Sequence, residues 1–138
     1  MINEFAECMV SNSRMAARAV TRHYDSHLRP HGLTSTQFSL LATIRLGGEH
    51  TVSELAEARG FDRTTLTRNL GRLERMGLIA SRNAEKGNGR ICALTPRGEA
   101  LVEQLVPLWR GVQAEMKQLL SEDGFTAALE VLKQLARV

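Results

Sequence analysis

The stretch 62–76 constrains this chain more than any other. Leu66, Leu70 and Leu73 recur there at i, i+4 and i+7, which stacks them along one side of a helix. Asp62 stands where an N-cap belongs, and Gly77 stands where a helix ends. The other side carries Arg63, Thr64, Thr65, Thr67, Arg68 and Arg72. Such a helix must bury its leucines against neighbours and turn a cationic, hydroxyl-bearing side outward.

The rest of the chain supplies those neighbours. From Asn3 to about Arg29, Phe5, Met9, Ala16, Ala19, Val20, Tyr24 and Leu28 recur at helical spacing, and Pro30 and Gly32 stop the helix. Thr34 caps a second helix, with Phe38, Leu41, Ala42 and Ile44 inward and Gly47-Gly48 at its end. Thr51-Val52-Ser53-Glu54 reads as a capping box, in which hydroxyl and carboxylate each satisfy an orphan N–H. The short helix it opens carries Leu55 and Ala56 and ends at Gly60.

Beyond the 62–76 helix, 78–82 and 90–94 read as two short strands, joined by the polar tip 83–89. Thr95-Pro96 opens a long helix with Leu101, Leu105, Leu108, Val112, Leu119 and Leu120 on its apolar side, and Pro107 within it should kink it. Ser121 caps a last helix bearing Phe125, Leu129, Leu132 and Leu135. The expected fold is therefore mainly α with a small β-wing. A helix-turn-helix lobe spans 33–98, and terminal helices at 1–32 and 99–138 form a dimerisation lobe. Aromatic residues, at 4%, fit packing by Leu, Ala and Val better than an aromatic-rich barrel.

Charge points the same way. Between Phe61 and Arg97 eight bases face three acids, a net of +5, whereas the remainder has ten bases against twelve acids, a net of −2. A basic middle in an acidic frame is the footprint of a nucleic-acid reader. Arginine can fork onto guanine, and threonine can donate, accept or touch a thymine methyl. Those residues crowd the N-terminal half of the 62–76 helix, the end that enters the major groove in this motif. Arg82, Lys86, Asn88 and Arg90 lie on or beside the hairpin tip, where a basic side chain can reach a phosphate or a narrow minor groove.

The chain resembles the MarR family of bacterial winged-helix regulators over nearly its whole length. The resemblance rests on Leu33-Thr34-Ser35-Thr36-Gln37-Phe38, Val52-Ser53-Glu54-Leu55-Ala56-Glu57, Asp62-Arg63-Thr64-Thr65-Leu66-Thr67-Arg68, Leu73-Glu74-Arg75-Met76-Gly77-Leu78-Ile79 and Leu94-Thr95-Pro96-Arg97-Gly98. It implies a homodimer, a recognition helix at 62–76 and a wing arginine at Arg90. It also implies regulation, repression above all, relieved by a small molecule or by oxidation. The tip Lys86-Gly87-Asn88-Gly89-Arg90 departs from the family in lacking an Asp to brace the arginine, a part that Asn88 can take.

A two-fold dimer, formed by the apolar terminal helices, would bind a pseudo-palindromic duplex with half-sites ~34 Å apart. By analogy with the family, His23, Tyr24, His27, Phe38, Leu41 and Trp109 are candidates for lining a site for a small aromatic or phenolic effector. His23 and His27 have metal-ligand spacing, but no carboxylate or thiol evidently completes a set, so no metal or other cofactor is expected. Cys8 is the candidate redox residue. Alignment on 18–22 puts the reactive cysteine of the peroxide-sensing branch at Val10, two residues and ~200° away on a helix. Cys92 reads as a small packed hydrophobe.

No phosphate loop, nucleophile elbow or zinc-ligand pair appears, so an enzyme is not expected. A winged helix binding RNA or protein is the other class; the arginine face favours nucleic acid, and the missing aromatic platform disfavours single strands. The acidic N-terminus and the absence of a long apolar run lead us to expect a cytoplasmic protein with no membrane association.

Overall fold

Caps and glycines set the element boundaries. The computed structural model describes residues 3–46, 50–87 and 89–138. They form a 3₁₀ turn at Glu4–Glu7, then α1 (Met9–Leu28), a second 3₁₀ turn (Arg29–His31), α2 (Ser35–Arg45), α3 (Val52–Arg59) and α4 (Arg63–Arg75). A hairpin of β1 (Ile79–Asn83) and β2 (Arg90–Leu94) follows, then α5 (Pro96–Leu120) and α6 (Glu122–Leu135). The expected architecture, helical with a two-stranded wing, is what forms. The chain divides into two compact units, one up to Ser35 and one from Thr36 onward.

In the first unit, the helix expected from Asn3 is broken early. Asn3 caps the opening 3₁₀ turn by accepting from Phe5 N, and Cys8 then adopts extended backbone before α1 begins at Met9. Asn12 locks this entry by donating to the carbonyls of Ala6 and Cys8 at 2.8 and 2.9 Å. As expected, α1 ends at Leu28, just before Pro30. That proline sits in the first positions of the second 3₁₀ turn, and Gly32 ends that turn at φ +84°, where only glycine is unstrained. Asp25 accepts from Ser35 N at 2.7 Å, which satisfies a free amide at the start of α2.

In the second unit α2 buries Gln37, Phe38, Leu40, Leu41 and Ile44. Positions 37, 40, 41 and 44 form the i, i+3, i+4, i+7 stripe, so Leu40 and Gln37 belong to the core, while Ala42 is only half-buried. The expected Gly47-Gly48 terminator lies outside the described residues. Thr51 caps α3 by accepting from Glu54 N at 3.2 Å. The capping box closes differently from the expected form: Glu54 Oε1 accepts the Thr51 hydroxyl, also at 3.2 Å. Arg59 Nε donates to Thr43 Oγ1 at 2.8 Å, which bolts the end of α3 onto α2.

The strands pair antiparallel, with Ile79 opposite Leu94 and Asn83 opposite Arg90, so β1 starts one residue later than its sequence pattern indicated. Thr95 ties the hairpin to α5. Its hydroxyl donates to Gly77 O at 2.6 Å and accepts from Gly98 N at 3.1 Å. Gly98 is required by close approach, because a Cβ there would lie 2.0 Å from the carbonyl oxygen of Leu78. The helix α5 continues unbroken through Pro107. Ser121 turns the chain into α6 at φ +67°, a strained angle for a side-chain-bearing residue, and its Oγ accepts from Gly124 N at 3.1 Å. Among the described residues no helix is long and apolar enough to cross a membrane.

Candidate nucleic-acid interface

α3 and α4 pack on one another across the Gly60 turn, and α4 also packs on β1. Leu66, Leu70 and Leu73 are buried, which fixes the rotation of α4 about its axis. That rotation leaves Arg63, Thr64, Thr67, Arg68 and Arg72 exposed, and all of these but Arg72 line one shallow depression. The structure thus brings together four of the six residues expected on this face and leaves Arg72 exposed one turn beyond Arg68.

Thr65 is the exception. Asp62 caps α4 by accepting from Thr65 N at 2.8 Å, and the Thr65 hydroxyl donates to the other carboxylate oxygen at 2.7 Å. Its hydroxyl proton is committed to the cap and the residue is half-buried, so Thr65 holds the helix start rather than presenting a donor outward. The same contacts hold the Asp62 carboxyl below its ordinary range: first the Thr65 amide, then its hydroxyl, with smaller help from Thr64 N–H and the charge of Arg68. A helix N-terminus with free amides and flanking arginines favours phosphate oxygens.

The hairpin separates its arginines. Ser81, Asn83, Arg90 and Cys92 share one face by strand alternation and register, whereas Arg82 and Ile91 point to the other. Arg82 and Arg90 therefore leave the hairpin on opposite faces. Lys86 is exposed at the tip, and Asn88 lies outside the described residues. The wing's base is anchored by a Thr51–Ile91 bridge and by Ala84 N donating to Gly89 O at 2.7 Å.

Two residues that sequence reading did not single out act on Arg90. Its guanidinium donates to Ser81 Oγ, and Ser81 Oγ donates to Glu74 Oε1 at 3.0 Å. Strand alternation places Ser81 beside Arg90, but nothing local links Glu74 to the hairpin.

The remaining candidates are distributed as follows. His23, Tyr24 and His27 are half-buried on α1, with the two imidazoles edge-on at 5.1 Å between ring centres. Burial raises the Tyr24 hydroxyl pKa. Phe38 and Leu41 are buried core residues, and Trp109 is partly exposed on α5. Cys8 is half-buried and precedes α1, so a comparison of helix faces with Val10 does not apply to it. The Ser11 amide and hydroxyl, and then the Val10 N–H, turned toward the thiol at the start of α1, lower its pKa. Cys92 is buried; burial first, then the charge of Glu74, raises its thiol, against a weaker opposing pull from Arg90.

A two-helix module with an outward basic helix, followed by a β-hairpin, defines a winged helix-turn-helix protein. Residues 31–91 match the MarR family. The chain is similar to the Mycobacterium tuberculosis transcriptional regulator MosR in complex with DNA, at 42% identity with 94% of each chain covered and a TM-score of 0.85. It is also similar to a mutant form of Escherichia coli MarR complexed with operator DNA, at 26% identity, 92% of each chain and a TM-score of 0.82. The multiple antibiotic resistance protein MarR of Salmonella typhimurium is 38% identical over 84 residues, 60% of this chain and 58% of that protein. This chain belongs to the MarR family and is a transcriptional regulator, not an enzyme.

Proposed function

We propose that the protein acts in the cytoplasm as a homodimeric, sequence-specific binder of duplex DNA. In this reading it represses transcription, and a small-molecule effector modulates its affinity. The observation that carries the reading is the rotation of α4: its leucines are buried while Arg63, Thr64, Thr67, Arg68 and Arg72 face outward together. Arg68 and the threonines read base edges in the major groove, Arg63 and Arg72 meet phosphates, and Lys86 and Arg90 extend the contact from the wing. The DNA-bound state of the MosR relative supports duplex DNA as the partner. Apolar side chains exposed on α1 and α6, among them Met9, Met15, Leu129 and Leu132, support a second copy of the chain as the other partner.

A salt titration on a duplex tests the reading. Log affinity should fall linearly with log salt, with a slope of about −0.9 per phosphate contacted. Arg68→Ala should cost ~1–3 kcal/mol and relax sequence preference, whereas Lys86→Ala should weaken all sequences alike. Binding untouched by both changes overturns the assignment of the face.

A second mode of control is favoured by the lowered thiol of Cys8. Oxidation there would change DNA affinity; equal affinity before and after mild peroxide, with Cys8 shown to be modified, removes it.

A further inference from the structure

Arg90 is tied back toward the recognition helix through a single hydroxyl. Its Nη2 donates to Ser81 Oγ, and Ser81 Oγ donates to Glu74 Oε1 at 3.0 Å. The strand register makes this reach possible. Ser81 lies opposite Cys92, two residues along β2 from Arg90 on the same face, and such a diagonal spans about 7–8 Å, within reach of an arginine. Glu74 sits in the last full turn of α4, which packs on β1.

The order of charges gives the chain of bonds a direction. A serine hydroxyl has one proton. With that proton spent on the Glu74 carboxylate, the oxygen turns its lone pairs toward the guanidinium, and each bond polarises the next. The guanidinium carries five N–H groups, so a contact made through Nη2 leaves others to point outward from an exposed residue. The wing backbone is already fixed by the Thr51–Ile91 bridge, and by Gly89, where a Cβ would lie 2.7 Å from Thr51 Cγ2. What the two hydrogen bonds add is restraint on a side chain that otherwise has many rotamers. An arginine already held loses less freedom on binding than one that is loose.

We infer that Glu74 and Ser81 are positioning residues for the wing arginine. They set Arg90 at a fixed offset from α4, so that helix and wing meet a duplex in one register. The inference rests on the reading of Arg90 as a DNA contact, given above. No carboxylate lies in sequence between Lys86 and Arg90, so the brace comes from the helix rather than from the hairpin tip.

The test uses the intact protein and a duplex it selects from a random pool, remade with A-tract or with G·C flanks. A narrow A-tract groove attracts an inserted arginine, so flank preference reports Arg90 and a general loss of stability does not. Ser81→Ala and Glu74→Ala should each weaken the A-tract duplex ~3–10-fold and erase its advantage over the G·C version. Ser81→Thr, which keeps a hydroxyl and suits a strand, should restore both. Ser81→Ala added to Arg90→Ala should cost nothing further. If Arg90→Ala weakens binding but Ser81→Ala does not, or if the two losses simply add, the positioning role is overturned and the wing contact stands. If Arg90→Ala binds both duplexes as the wild type does, the wing contact falls and the brace with it.

Discussion

α4 and α6 carry the same kind of sequence pattern and meet different surroundings. In α4, Leu66, Leu70 and Leu73 at i, i+4 and i+7 are all buried. In α6, Phe125, Leu129 and Leu132 have the same spacing, yet none of its residues is buried, and Leu132 is 59% exposed. Both helices start on a side-chain cap, Asp62 in one and Ser121 in the other. Local signals are thus equal, and the neighbours make the difference. α4 has α3 and β1 packed on it, whereas the main neighbour of α6 is α5, where Lys117 Nζ lies over the Phe125 ring at 5.5 Å. Amphipathic spacing says which side of a helix needs covering; it does not say that the same chain covers it.

The comparison can be broken by substitution. Leu66→Ala removes a fully buried side chain and should cost ~2–5 kcal/mol in urea unfolding, at every protein concentration. Leu132→Asp should act differently. If a second copy covers α6, the substitution produces monomers in light scattering, and the melting midpoint ceases to depend on protein concentration. A Leu132→Asp protein that stays dimeric would place the dimer contact elsewhere.

The smallest effect concerns the cap that starts α4. The folded-state pKa of Asp62 is depressed, first by the Thr65 amide. Its contribution to stability is therefore fully present above the unfolded value of about 3.9 and is lost as pH falls through the lower folded value. Asp62→Asn keeps a capping oxygen but does not titrate, so the loss of melting temperature below about pH 4 should become shallower than in the wild type. Identical acid limbs would show that the charge of the cap contributes nothing.

Much of this was legible in the residues. The caps at Asp62, Thr95 and Ser121, the buried leucines of α4 and the hairpin all follow from short-range rules. Leu40 was within reach of the same rules, since 37, 40, 41 and 44 complete a stripe that a count of i, i+3, i+4, i+7 positions would have found. The break at Cys8 was harder to see, because it depends on Asn3 and Asn12 competing for backbone groups that a continuous helix would use. Thr65 is ambiguous for a related reason: its hydroxyl is equally suited to a base edge and to the carboxylate three residues before it.

The sequence by itself determined the starts of α3, α4, α5 and α6 and the buried side of α4, because caps and periodicity act within one or two turns. Tertiary structure alone decided that Arg82 and Arg90 lie on opposite faces and that Glu74 reaches Arg90 through Ser81. Those relations depend on strand register and on the packing of α4 against β1, which no cap or helical period specifies.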